Sequence, residues 1–237
     1  MFLTYYLLGI LIIPGILLGI YAQIKVSSTF KKFSEIPSRG GLTANQIARA
    51  VLDNADLADI EITHQSGNLT DHYHPKKRYI ALSDSVYDST SISAIGVALH
   101  EVGHAIQHKQ HYAPLHIRNF LIPITNIAST MLWPLVIIGL LLGFGTETGG
   151  LFADICVWSG FIFFGIAVLL NLITLPVEFD ASNRAIQILR DGSFLAEDEL
   201  DGAKKVLNAA ALTYVAALII AILQFLRFLL TILASRN

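Results

Sequence analysis

His100, Glu101 and His104 stand in the pentapeptide HEVGH, at the end of the apolar run SISAIGVALH. On an α-helix, residues four apart lie one above the other, so His100 and His104 can turn two imidazoles toward one ion while Glu101 sits beside them. A Zn²⁺ held by two imidazoles and a third protein ligand keeps an open position for water. A neighbouring carboxylate can take that water's proton and return it to a leaving group. The chemistry that suits these residues is therefore hydrolysis by a metal-activated water, with Glu101 as general base. A surface helix with ordinary histidines could carry the same letters. Against that, Ala98, Gly103 and Ala105 keep this helix slim, and the charged pattern breaks an apolar run that gains nothing from it in packing.

The rest of the chain has to position such a helix, and its composition points to a bilayer. Of 237 residues, 54% are hydrophobic and only 14% charged, with a mean hydropathy of +0.59. Four segments are long and apolar enough to span hydrocarbon: 1–24, 119–146, 151–177 and 206–234. The first lacks a basic start and a clear small-residue cleavage pattern, so it reads as a retained anchor and not a signal peptide. The second holds Pro123 and Pro134 and exceeds one straight span, which suggests an interfacial start or a bend.

Charge orients these spans. Between the first and second lie ten basic residues (Lys25, Lys31, Lys32, Arg39, Arg49, Lys76, Lys77, Arg78, Lys109 and Arg118), and between the third and fourth lie Arg184, Arg190, Lys204 and Lys205. The connection GTETGGLFAD has none. Both polar segments, 25–118 and 178–205, are thus expected on the cytoplasmic side, with both termini outside. Two crossings return the chain to the face that carries HEVGH, so a third ligand can come from beyond residue 177.

Within the polar segments, residues 25–41 read as a basic juxtamembrane linker. The stretch LTANQIARAVLDNADLADI reads as an amphipathic packing helix with Ile47, Ala48, Val51 and Leu52 inside. IEITH is a short strand, followed by a turn and a polar loop through His72, Tyr73 and His74; a second strand covers about 78–82. That second strand is either a core strand or a sheet edge to which an extended substrate could add. Tyr73 or Tyr79 could donate to a developing oxyanion, or be an ordinary loop or core tyrosine. His108, His111 and His116 lie too far along the chain to join His100 and His104 on one ion, and are expected to face solvent or headgroups. Gln107, Lys109 and Gln110 mark the polar exit of the helix.

LPVEFDASNRAIQIL supplies the candidate third ligand. Pro176 is expected to end or bend the third span, and Glu178 to open a short helix beneath the metal helix. Glu178 could instead be a boundary charge, and Asp180 is a rival ligand that must face elsewhere if Glu178 faces the ion. Arg184 could orient a carboxylate or meet a substrate carbonyl. Asp154 and Arg227, near the outer ends of their spans, are expected to be structural. Cys156 is the one cysteine, which excludes an intramolecular disulfide and a cysteine metal cluster.

The stretches GNLTDHYHPKKRYIALSDSVY, SISAIGVALHEVGHAIQH and LPVEFDASNRA resemble the YugP-like family of bacterial membrane-bound neutral zinc metallopeptidases. The resemblance covers nearly the whole chain; a more distant one is to gluzincins of the HtpX and Ste24 type. It implies one Zn²⁺ held by His100, His104 and Glu178, with Glu101 as catalytic base. The distant gluzincins usually carry an Asp where this chain has Ser182, which would support a ligand histidine with only one weaker hydrogen bond. The expected fold is an α-helical integral membrane protein with about four transmembrane helices and a zincin-like α+β cytoplasmic catalytic domain built from two separated segments. Its expected place is a bacterial plasma membrane. Its expected activity is zinc-dependent cleavage of a peptide or membrane-protein substrate at or near the cytoplasmic surface, with no nucleic-acid partner. The competing classes are a noncatalytic membrane scaffold or transporter, and a degraded peptidase that retains metal or peptide binding. Oligomeric state and cleavage preference are carried by no motif.

Overall fold

A computed structural model of the chain describes residues 8–143 and 150–235. The first seven residues of the expected first span, the end of the expected second span at 144–146 and the first half of the GTETGGLFAD connection lie outside the described residues. A 3-10 turn at Leu8–Ile12 leads into α1 (Ile13–Ser34), followed by α2 (Ala44–Asn54), β1 (Glu61–Gln65), β2 (His72–His74), β3 (Tyr79–Ser83), α3 (Ile92–Lys109), α4 (Ala113–Leu141), α5 (Gly150–Asp191) and α6 (Glu197–Ser235). Among the described residues, four helical stretches are long and apolar enough to cross a membrane: Leu8–Ser34, Ala113–Leu141, Gly150–Asp191 and Glu197–Ala234.

The chain divides into two compact units. One comprises Met1–Tyr21, His116–Leu175 and Tyr214–Asn237 and contains the apolar lengths of the long helices. Its buried contacts include Leu132, Val136, Ala153, Val157, Phe228 and Ile232. Pro123 and Pro134 lie inside α4, which stays one helix through both.

The other unit joins Ala22–Leu115 to Pro176–Thr213, two segments far apart in the chain. Its core is built from Ile47 and Leu52 of α2, Ile80 and Leu82 of β3, Ile95 and Leu99 of α3, and Leu189 of α5, all buried. The amphipathic reading of α2 holds: Ile47, Ala48, Val51 and Leu52 all point inward. At its start, the Gln46 side chain accepts the Thr43 main-chain N–H at 3.0 Å, which satisfies one donor left over by the helix end. α3 is begun in a similar way by Ser91, whose Oγ accepts the Ala94 N–H.

Three expectations change. Most of the stretch read as a linker from residue 25 is helix, since α1 runs to Ser34. Glu178 does not open a helix: α5 is continuous from Gly150 to Asp191 with Pro176 inside it. The stretch read as a polar loop contains β2, and the sheet order is β1-β3-β2, with β1 parallel and β2 antiparallel to β3. The second expected strand is thus the centre of the sheet, paired on both sides, and β2 is an edge.

Gly103 lets α3 and α5 approach. A Cβ there would stand 2.6 Å from the Ala181 carbonyl oxygen, a backbone atom that cannot swing aside. Gly96, on the same helix, differs: its Cβ would meet the Ala203 methyl at 3.5 Å, an ordinary contact. Gly103→Ala is therefore expected to cost about 1–3 kcal/mol by overpacking and to weaken metal binding. Gly96→Ala should be neutral or stabilising by up to about 1 kcal/mol from helix propensity. Thermal melts and zinc titrations of the two variants check the contrast, and equal effects would contradict it.

Candidate metal centre

α3 presents His100 and His104 one turn apart, their rings 4.7 Å between centroids and nearly perpendicular. α5 brings Glu178, buried to 1% exposure, against both. Its Oε2 lies 3.2 Å from His100 Nε2 and 3.6 Å from His104 Nε2. One ligand atom from each of the three residues falls within 4.8 Å of the others, so together they could hold a metal ion. The sequence placed Glu178 on the same membrane face by counting crossings, and it is the carboxylate that meets the histidines.

The far side of each imidazole is also held. His100 Nδ1 is 3.1 Å from Ser182 Oγ, and His104 Nδ1 is 2.9 Å from Gln107 Oε1. Gln107 is fully buried, not part of a polar exit from the helix. Its amide nitrogen donates to the Val177 carbonyl and to Asp180 Oδ2, each at 2.8 Å. Because the amide nitrogen faces these acceptors, the Gln107 oxygen faces His104 and accepts a hydrogen bond from Nδ1–H. A neutral His104 then turns an unprotonated Nε2 toward a carboxylate oxygen, two lone pairs face to face. Such a contact is favourable only with a cation there, a proton or a metal ion, and a pair of Nε2 atoms with a carboxylate oxygen is a donor set that zinc accepts. The residues fit the ion.

Titration behaviour follows the same geometry. Burial alone would raise the Glu178 carboxyl, but hydrogen bonds from His100 and His104 and their charge hold it well below the ordinary carboxylate range. Burial alone would lower His104, yet the bond to Glu178 and the negative charge of Glu178 and Glu101 raise it.

Asp180 is not part of this cluster. Its Oδ2 also accepts from Arg184 Nε at 2.5 Å, and Arg184 reaches on to Gln110 Oε1 at 2.6 Å. The carboxylate that Arg184 orients is therefore Asp180, which in turn orients Gln107. Gln107 stands one turn beyond His104, near the end of α3. Removing its amide in Gln107→Leu should lower zinc affinity about 10- to 100-fold with the fold intact. A competition titration against a chromophoric chelator measures it; unchanged affinity would show that the amide does not support His104.

Glu101 is buried, and its Oε2 accepts the Tyr73 main-chain N–H at 2.9 Å. The Tyr73 hydroxyl is 2.9 Å from His108 Nδ1, so His108 has a protein partner and does not simply face solvent or headgroups. The Tyr79 hydroxyl lies 3.5 Å from His72 Nε2.

Comparison with known proteins agrees with this centre. The model of a family described as "Putative neutral zinc metallopeptidase" matches residues 8–233. The chain belongs to this family. A relative named "Putative membrane protease YugP", from Bacillus subtilis (strain 168), is 43% identical over 227 residues, covering 96% of this chain and 97% of its own length. No solved structure matches. The family name fits a site with histidine and carboxylate donors, and the relative's name fits a chain with four helices able to cross a membrane.

Proposed function

We propose that the chain is a zinc-dependent endopeptidase that hydrolyses peptide bonds at or near the cytoplasmic membrane surface, with His100, His104 and Glu178 as ligands of one Zn²⁺ and Glu101 as general base. The observation that carries the reading is the convergence of His100 Nε2 and His104 Nε2 on Glu178 Oε2, with both imidazoles braced from behind and Glu101 between them in sequence. When bound, zinc supplies a Lewis acid and lowers the pKa of its water.

The chain's own residues supply the rest. Glu101 accepts a proton from the attacking water and passes it to the leaving amine, and its hydrogen bond from the Tyr73 N–H keeps one oxygen fixed while the other handles the proton. Gln107 holds His104 in the tautomer that presents Nε2, and Ser182 holds the His100 ring by its Nδ1. Tyr73 lies on β2, an edge strand, and gives the main-chain N–H that turns away from β3 to Glu101. The cytoplasmic placement rests on the fourteen basic residues of the two polar segments.

Chelation tests this reading. Protein purified in detergent should cleave members of a broad peptide library, lose that activity to a chelator and regain it with zinc. Cleavage that persists through complete metal removal would sink the proposal.

A further inference from the structure

β2 is only three residues long, too short to be held firmly by its ladder to β3 alone. Its middle residue is gripped twice by the metal helix. Tyr73 gives its main-chain N–H to Glu101 Oε2 at 2.9 Å and its hydroxyl meets His108 Nδ1 at 2.9 Å, with the two rings 6.0 Å apart. Glu101 and His108 are seven residues apart. On an α-helix that spacing closes to within about 20° of two full turns. They therefore share one face of α3, separated by about 10 Å along its axis. Tyr73 bridges them with its main-chain nitrogen at one end and its phenol oxygen at the other, the two hydrogen bonds making up the rest of the length.

The strand is also pinned where it begins. Asp71 Oδ1 accepts the Ser83 N–H at 2.7 Å and Asp71 Oδ2 accepts the Ser83 hydroxyl at 2.9 Å, which ties the entry of β2 to the end of β3. In the register His72 faces Ala81, Tyr73 faces Ile80 and His74 faces Tyr79. The Tyr73 N–H turns outward from that ladder, to Glu101. Burial raises the Tyr73 phenol above its ordinary pKa, so it remains a neutral hydroxyl able to share a proton with His108.

We propose that Tyr73 and His108 are positioning residues for the general base: their contact clasps edge strand β2 onto α3 and so holds the Tyr73 N–H on Glu101, fixing the carboxylate's orientation. The clasp links His108 to Glu101 through Tyr73, and neither Tyr73 nor His108 belongs to the group His100, His104 and Glu178. Loosening it leaves the ligand set whole and lets the carboxylate turn. The catalytic consequence rests on the reading of Glu101 as base; the mechanical one does not.

The experiment uses the full chain in detergent, as wild type, Tyr73→Phe, His108→Ala, His108→Asn and Glu101→Gln. Two readouts are taken: amide hydrogen exchange at Tyr73, and steady-state cleavage with zinc content. Tyr73→Phe and His108→Ala should speed exchange at the Tyr73 amide and lower kcat about 10- to 100-fold, with KM, zinc content and melting temperature unchanged. His108→Asn, whose amide stands where Nδ1 stood, should restore much of both. Glu101→Gln should also speed exchange at Tyr73, because a charged acceptor becomes a neutral one. Unchanged exchange in Tyr73→Phe would overturn the clasp. Faster exchange with wild-type kcat would overturn its positioning role, as would a loss of kcat that tracks lost zinc or a lowered melting temperature. If wild type itself cleaves nothing, the endopeptidase reading and the positioning role fall together, while the exchange data still decide the clasp.

Discussion

Glu101→Gln should retain zinc at the wild-type level and lose about 100- to 10,000-fold in kcat. The amide matches the carboxylate in shape, and its oxygen can still accept the Tyr73 N–H that Glu101 accepts at 2.9 Å. It cannot take a proton at neutral pH. Glu101 lies outside the group of His100, His104 and Glu178 that could hold the ion, so the ligand set is untouched. Zinc analysis by atomic spectroscopy beside steady-state kinetics on one peptide separates the two quantities. A variant that keeps wild-type kcat would remove Glu101 from the chemistry; one that loses zinc would make it a ligand or a structural support.

Glu178→Ala has the opposite signature. Zinc affinity should fall well beyond the about 10- to 100-fold expected for an outer partner such as Gln107, and cleavage should vanish at ordinary zinc concentrations. The carboxylate meets both imidazoles and is buried to 1% exposure. Titration sharpens the prediction. In the zinc-free protein Glu178 stays ionised through the ordinary acid range because its pKa is lowered, whereas His104 takes its proton early because its own is raised. On acidification zinc should therefore be displaced through protonation of His104, with Glu178 still charged. Asp180→Ala, which leaves Glu178 in place, should be milder in a side-by-side zinc titration; equal losses would mean that the ligand has been misassigned.

The meeting of His100 and His104 was legible because it is written at helical spacing, which places two imidazoles on one face. The charge asymmetry of the polar segments gave the expectation that Glu178 lies on the same side, and Glu178 does meet both histidines. Ser182 was legible as a partner of a ligand histidine, and it does meet His100 Nδ1. The supports of His104 were not, for a physical reason: Gln107 is polar and follows the motif at the end of a helix, where exposure is the ordinary expectation, and only the return of Val177 and Asp180 gives its amide acceptors. β2 was hidden because His72, Tyr73 and His74 carry no alternation of apolar and polar residues, and it is made a strand by its pairing to β3. Pro176 misled in the other direction. A proline lacks one helical hydrogen bond, but Val177, Ala181 and Ala185 just beyond it are fully buried, and that packing carries α5 through.

The central claim is that His100, His104 and Glu178 hold one zinc ion, and X-ray absorption at the zinc edge of the purified full-length protein tests it most directly. The account predicts one zinc per chain whose first shell contains two imidazole nitrogens at about 2.0–2.1 Å and oxygen ligands at about 2.0–2.2 Å, with no sulfur. It further predicts that one imidazole disappears from the spectrum in His104→Ala. A first shell without imidazole, or a spectrum identical in wild type and His104→Ala, would contradict it.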